Sequence, residues 1–198
     1  MPGTGKEASR NAPTWPKDAL RVTFGIIWLI DAILKWLPGF RSGYMDTIMG
    51  TRDGQPGWLR WWFDFWINLQ HPQAMFFAYL VAVVETLIAV ALIAGFARKT
   101  AYIAAAGFSV LIWATAEGFG GPYTSGSADI GTAIIYAVVF AGLLALSYYA
   151  GPARYSADYY LEHKFSWWWH LAELRRPVPP LAAPAPAEDT AARQPQAA

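Results

Sequence analysis

Long apolar runs alternate along the chain with short polar breaks. Four of these runs approach the roughly 20 mostly apolar residues that a helix needs to cross a bilayer. They lie at about 19–37 (ALRVTFGIIWLIDAILKWL), 74–96 (AMFFAYLVAVVETLIAVALIAGF), 100–117 (TAYIAAAGFSVLIWATAE) and 129–150 (DIGTAIIYAVVFAGLLALSYYA). The pattern predicts an all-α, polytopic membrane protein: a bundle of four transmembrane helices over residues 18–150. Between the first two runs, GWLRWWFDFWINL (57–69) sets Trp58, Trp61, Trp62, Phe63, Phe65 and Trp66 around Arg60 and Asp64, and Pro72 ends it. That piece is too short and too polar to span. A Trp-rich helix lying in the outer interface is expected, since indole rings rest at headgroup level. The segment 151–175, with YSADYYLEHKFSWWWHLAEL, reads as a second amphipathic piece on the inner side. Residues 1–17 and the Pro/Ala-rich tail 176–198 are expected to be disordered. The first run carries Asp31 and Lys35 and is followed by Pro-Gly-Phe-Arg, so it reads as a retained helix rather than a cleaved leader.

Charge placement predicts which way the spans point. Eleven Lys and Arg fall in the N-terminal arm, the Arg98-Lys99 turn and the C-terminal segment, against three (Arg41, Arg52, Arg60) in the connection between spans one and two. Basic residues mark the cytoplasmic side. Both termini are therefore expected in the cytoplasm, with the chain in the plasma membrane and AEGFGGPYTSGSADIG (116–131) outside. The chain is 55% hydrophobic and 15% charged, against about a quarter charged for an ordinary soluble domain, which agrees with a bilayer as its main partner. A net charge of +1 offers no basic face for nucleic acid. The absence of cysteine excludes disulfides, thiolate chemistry, iron–sulfur ligation and covalently attached haem. The three His (His71, His163, His170) all lie outside the apolar runs, which argues against a membrane-embedded bis-His haem. No metal-ligand pattern and no cofactor motif is visible.

Ionisable groups within the runs are the candidate chemistry, because each costs several kcal/mol in hydrocarbon. Asp31 and Lys35 are four apart and share one helix face, acid before base. Counting ~1.5 Å per residue from the outer end puts Asp31 about 9 Å deep and Glu85 about 16 Å deep. Glu85 has no charged neighbour on its own helix. It holds its proton or meets Arg21, Lys35 or a Tyr or Thr hydroxyl from another span. Glu117 ends span three, where the helix dipole disfavours an acid, and Asp129 opens span four, where the dipole favours one. Asp31, Lys35, Glu85, Glu117 and Asp129 all fall in the outer half. If they point inward they form a polar cavity open to the outside, roofed by the glycine-rich loop and the Trp-rich helix. Arg21 opens span one at the inner side, where a long side chain can snorkel to headgroups. Small residues on span three (Ala101, Ala105, Ser109) suit a close helix contact or a homo-oligomer face.

Arg21-x-x-x-Gly25 followed by Asp31-x-x-x-Lys35, together with Glu85 ahead of an apolar run ending Ala-Gly95-Phe, resembles the DoxX/DoxD-like family of four-helix membrane proteins. The likeness covers about residues 18–150, with Arg21, Lys35 and Glu85 matching the family pattern. DoxD is the small subunit of a thiosulfate:quinone oxidoreductase. The resemblance therefore implies a redox-associated membrane subunit that handles quinone or a small sulfur species, with a second oxidoreductase subunit or another copy of itself as partner. On that reading Glu85, Asp31, Lys35 and Glu117 serve catalysis by relaying protons, and Asp129 and Arg21 bind substrate. Two other classes fit the same residues: a small cation or weak-acid transporter, and a non-catalytic assembly or stress-response membrane protein.

Overall fold

The computed structural model describes residues 15–121, 129–150 and 155–175. Residues 1–14, the tail 176–198, the centre of the glycine-rich loop and residues 151–154 lie outside the described residues; the last three residues of the arm expected to be disordered, 15–17, are instead the start of a helix, with Lys17 buried. Among the described residues the chain is all-helical, with no strand.

The first helix, α1 (Trp15–Lys35), has Asp18 in its first turn and Lys35 in its last, complementing the helix dipole. It stops at Lys35 rather than at 37 because Leu37 precedes Pro38 and takes the extended backbone that a following proline imposes (φ −73°, ψ 147°). Two short helices that the apolar pattern did not reveal come next, α2 (Pro38–Ser42) and α3 (Tyr44–Asp53). A 3₁₀ turn (Gly57–Leu59) leads into the Trp-rich helix α4 (Arg60–Gln70), and a second (His71–Gln73), containing Pro72, leads into α5 (Ala74–Ala94). Gly95 ends α5 in the left-handed conformation (φ 66°): its N–H donates to the Leu92 carbonyl at 3.3 Å, and that of Phe96 to Ala91 at 3.0 Å. The next helix, α6 (Arg98–Ala114), is followed by a turn at Gly118–Gly120, and α7 (Thr132–Ala150) begins after the loop. Span three therefore runs earlier than its expected 100–117, and span four starts at Thr132 rather than 129. The chain ends in α8 (Ala157–Lys164), with Ser156 as its N-cap, and α9 (Trp169–Ala172).

The four long helices pack antiparallel as two pairs, α1 with α5 and α6 with α7, with far sparser contact between the pairs. Gly25 sets the first pair: a Cβ there would lie 2.9 Å from both Leu92 Cβ and Ile93 Cγ1, so only hydrogen lets α1 come so close to α5. Phe24, Trp28, Leu92, Tyr102, Phe140 and Leu143 fill the space where the pairs meet. Phe24 and Phe140 pack edge-on with centroids 4.9 Å apart, and Trp28 lies tilted against Phe140 at 5.5 Å.

At the end bearing the glycine-rich loop, α3 and α4 lie across the helix ends. The Thr51 hydroxyl donates to the Ala116 carbonyl (3.0 Å), the Gln55 amide to Gly118 (3.2 Å) and the Trp62 indole to Ala114 (2.8 Å). Arg52 Nε joins the two roof helices through Asp64 Oδ1 at 2.5 Å. At the opposite end α8 and α9 dock against the Arg98 turn. Asp158 in α8 is fully buried while Tyr155, Tyr160 and Trp167 are exposed, so the segment expected as an inner amphipathic piece is anchored to the helix ends by one face. By length and composition, one helical run among the described residues, Gly57–Ala94, is long and apolar enough to cross a membrane, and a shorter apolar helix lies at Thr132–Tyr148.

Replacing Gly25 with Leu should overpack the α1–α5 contact and destabilise the fold by about 1–3 kcal/mol. A lowered midpoint in thermal unfolding of the detergent-solubilised protein, with Gly25→Ala intermediate, is the expected outcome.

Candidate functional site

The sparse contact between the two helix pairs leaves a cavity of about 720 Å³ at the loop end. Asp31 and Lys35 enter it from α1, Glu85 from α5, and Glu117 from the turn after α6. The geometry follows from the sequence step by step. Asp31 and Lys35 are one helical turn apart, and the Gly25 contact fixes their face of α1 against α5. Lys35 Nζ lies 3.0 Å from Asp31 Oδ1 and 3.7 Å from Glu85 Oε2, and 5.3 Å from the centre of the Phe40 ring. Glu85 is 1% exposed, and its Oε2 has no hydrogen-bond partner among the described residues. Lys35 therefore bonds one carboxylate and faces the second from beyond hydrogen-bond reach.

The walls are mostly aromatic. Trp28 and Tyr136 stand together (centroids 5.6 Å apart), and Phe40, Tyr44 and Trp66 close the roof side. The Trp28 and Trp66 indole nitrogens are both buried without an acceptor. An orphaned buried N–H costs on the order of 1–3 kcal/mol, and two such indoles and an unpartnered Glu85 oxygen belong to residues that line this one cavity. The Tyr44 hydroxyl donates to Gln70 Oε1 at 2.6 Å, and burial pushes its pKa up to about 12, so it stays a donor at neutral pH. Sequence reasoning named Trp66 only as part of the Trp-rich roof helix and did not single out Trp28, Tyr44 or Tyr136. The one local signal was Trp28, three residues before Asp31 on the same helix face; Tyr44 and Tyr136 stand on other helices.

The remaining expected site residues have other work. Glu117 lines the cavity, yet its two carboxylate oxygens accept the Ala133 backbone N–H at 3.2 and 2.9 Å. It caps the N-terminus of α7 through space, which explains an acid that the dipole of its own helix disfavours. Asp129 stays outside the cavity and accepts the Gly131 N–H at 2.7 Å in a local turn. Arg21 lies at the opposite end and neither meets Glu85 nor reaches headgroups. It is 2% exposed, and its guanidinium donates to the carbonyls of Leu92, Ile93 (2.9 Å) and Tyr155 (3.1 Å), with Asp18 Oδ1 at 3.6 Å. It caps the C-terminus of α5, whose last carbonyls lack helical partners. The described part of the glycine-rich loop packs against Thr51 and Gln55 rather than over the cavity: a Cβ on Gly118 would collide with both side chains. Helices α3 and α4 form the roof instead. No group of three or more His, Cys, Asp or Glu among the described residues is arranged to hold a metal ion.

Glu117→Ala should remove the α7 cap and cost about 1 kcal/mol, with Glu117→Gln recovering part of the loss. Thermal unfolding of the two variants side by side measures this.

No family model, curated protein or solved structure matches the chain.

Proposed function

We propose that the chain is a polytopic membrane protein whose four long helices all span the bilayer. On this reading its cavity opens outward and binds a flat, uncharged ring compound of the quinone type, as a redox-associated subunit resembling DoxX/DoxD proteins. The spanning of all four helices is supported by what they expose. Ile26, Ile30 and Ile33 on α1, Leu87 on α5, Ile103 on α6 and Val138 on α7 are each at least 48% exposed. An apolar surface of that extent on every long helix is unstable in water and suits acyl chains. The charge asymmetry of the connections supports both termini on the cytoplasmic side.

The observation that carries the ligand reading is the pairing of aromatic walls with orphaned indole donors, beside the Asp31–Lys35–Glu85 group. A ring with two carbonyl oxygens stacks on such walls, accepts from the two indoles, and sits next to an acid and a base that can hand over protons on reduction. A small sulfur anion such as thiosulfate has nothing to stack, and it meets two carboxylates for one lysine. A second reading has one observation in its favour: the surplus of acid over base at an aromatic site also suits a small organic cation, which would make the protein a carrier.

Native-membrane copurification followed by mass spectrometry should find bound quinone, and calorimetric titration with a short-chain quinone should give saturable binding. Trp66→Phe, which deletes one donor, should weaken binding about fivefold, the equivalent of about 1 kcal/mol. Glu85→Gln should abolish quinone-linked turnover while leaving the protein folded. Absence of both copurified and titrated quinone, with binding of a quaternary ammonium compound instead, would favour the carrier. The topology has its own test, helped by a chain without cysteine. A membrane-impermeant maleimide should label Asp53→Cys in intact cells and Lys164→Cys only after lysis.

A further inference from the structure

We infer that the C-terminal segment carrying α8 and α9 is a proton-operated latch: it docks tightly on the inner ends of α1 and α6 while Glu162 is protonated, and loosens when Glu162 ionises. The inference is independent of what the cavity binds.

The latch is built round Arg98, which is 1% exposed. Asp158 Oδ2 accepts from the Arg98 backbone N–H at 3.0 Å and from its Nε at 2.9 Å. The other oxygen of Asp158 accepts from Ala97 N–H at 2.6 Å and from the Trp168 indole at 2.9 Å. Glu173 Oε1 accepts from Arg98 Nη2. Glu162 comes third: its Oε1 lies 4.0 Å from that same Nη2, buried, with no hydrogen-bond partner. Nη1 of Arg98 also lacks a partner, so Glu162 competes with Glu173 for an occupied donor instead of engaging the open edge.

The charges that face this group come from every packed element. Lys17, Asp18 and Arg21 project from α1, Arg98 from α6, Asp158 and Glu162 from α8, and Glu173 from just after α9. His163, beside Glu162, is exposed and hydrogen-bonded to the Tyr159 carbonyl at 2.6 Å. In this group three buried cations meet three buried carboxylates and the half-buried Glu162. One proton balances them, and Glu162 is the carboxyl of the C-terminal segment whose buried oxygen no donor holds; Asp18, also without a hydrogen-bond donor, faces Arg21 on α1 at 3.6 Å.

Burial, and then the neighbouring Glu173, push Glu162 up from 4.5 to about 7, against the opposing pull of Arg98. Glu173 is raised too, by burial, but Arg98 and Lys17 draw it back. An acid whose pKa is higher docked than free favours docking fully below its free value. That advantage disappears as pH climbs to the docked value, then stays constant. The window therefore runs from about 4.5 to about 7.

Hydrogen exchange of the full-length protein in nanodiscs tests this. Protection of residues 157–172 is corrected for the intrinsic pH dependence of exchange and referenced to amides in the middle of α5. Opening of the segment should increase up to about tenfold per pH unit between pH 5 and 7, the limit for one proton, and level off above. Glu162→Gln, a neutral stand-in for the protonated acid, should keep the protection seen at pH 5 and flatten the slope. Glu162→Met repeats the test should the first variant not assemble. A wild-type profile without slope overturns the inference, as does an unchanged slope in Glu162→Gln. A slope that survives there but vanishes in Glu173→Gln moves the proton to Glu173 and equally overturns it.

Discussion

The contact between α1 and α5 at Gly25 is the constraint on which the rest depends. Because Gly25 has no side chain, α1 packs directly on Leu92 and Ile93. Arg21, one turn earlier, then reaches the carbonyls that end α5, and Asp31 and Lys35, further along the same face, arrive beside Glu85. One close approach thus produces a helix cap at one end and a charged group at the other. A larger residue at position 25 would disturb both together, although neither touches it.

The second helix pair has no comparable contact with the first, and the cavity is the consequence. Below, aromatic rings bridge the gap; above, nothing of the long helices fills it, and α3 and α4 close it from outside the bundle. That roof is tied down by side chains donating to backbone carbonyls at the end of α6: Thr51, Gln55 and Trp62. It is a strap laid over a finished frame. Beneath those ties Met45, Ile48 and Phe63 are buried, and Trp62 and Phe63 pack on Phe119, so the roof is held by apolar contact as well as by hydrogen bonds.

The long helices were legible because an apolar run of bilayer length is a strong signal, and Asp31, Lys35 and Glu85 were legible because ionisable groups within such runs are rare. What was hidden shares one physical cause: it depends on partners far away in sequence. Glu117 and Arg21 were weighed against their own helices, but each caps a different one, α7 and α5. The segment around α8 has the alternation of an interfacial helix, and only the position of Arg98 converts Asp158 from a surface acid into a buried one. Helices α2 and α3 are short and mixed in character, so no periodicity announces them.

The two ends of the molecule show how to separate structural charge from chemical charge. At the tail end most of the buried charge is engaged: Asp158 accepts four hydrogen bonds and Arg21 donates three. At the loop end Glu117 is similarly engaged, but Glu85 Oε2 and the Trp28 and Trp66 nitrogens are not. Satisfied groups lower the energy of the fold as it stands. Unsatisfied ones raise it, by an amount that an occupant with matching atoms would recover. Burial alone does not separate these groups, since Arg21 and Asp158 are 2% and 0% exposed and Glu85 and Trp28 are both 1% exposed. Counting the bonds each lacks does separate them: both oxygens of Asp158 are satisfied, whereas Glu85 at the loop end and Asp18, Arg21, Arg98 and Glu162 at the tail end each keep a buried polar atom without a partner among the described residues.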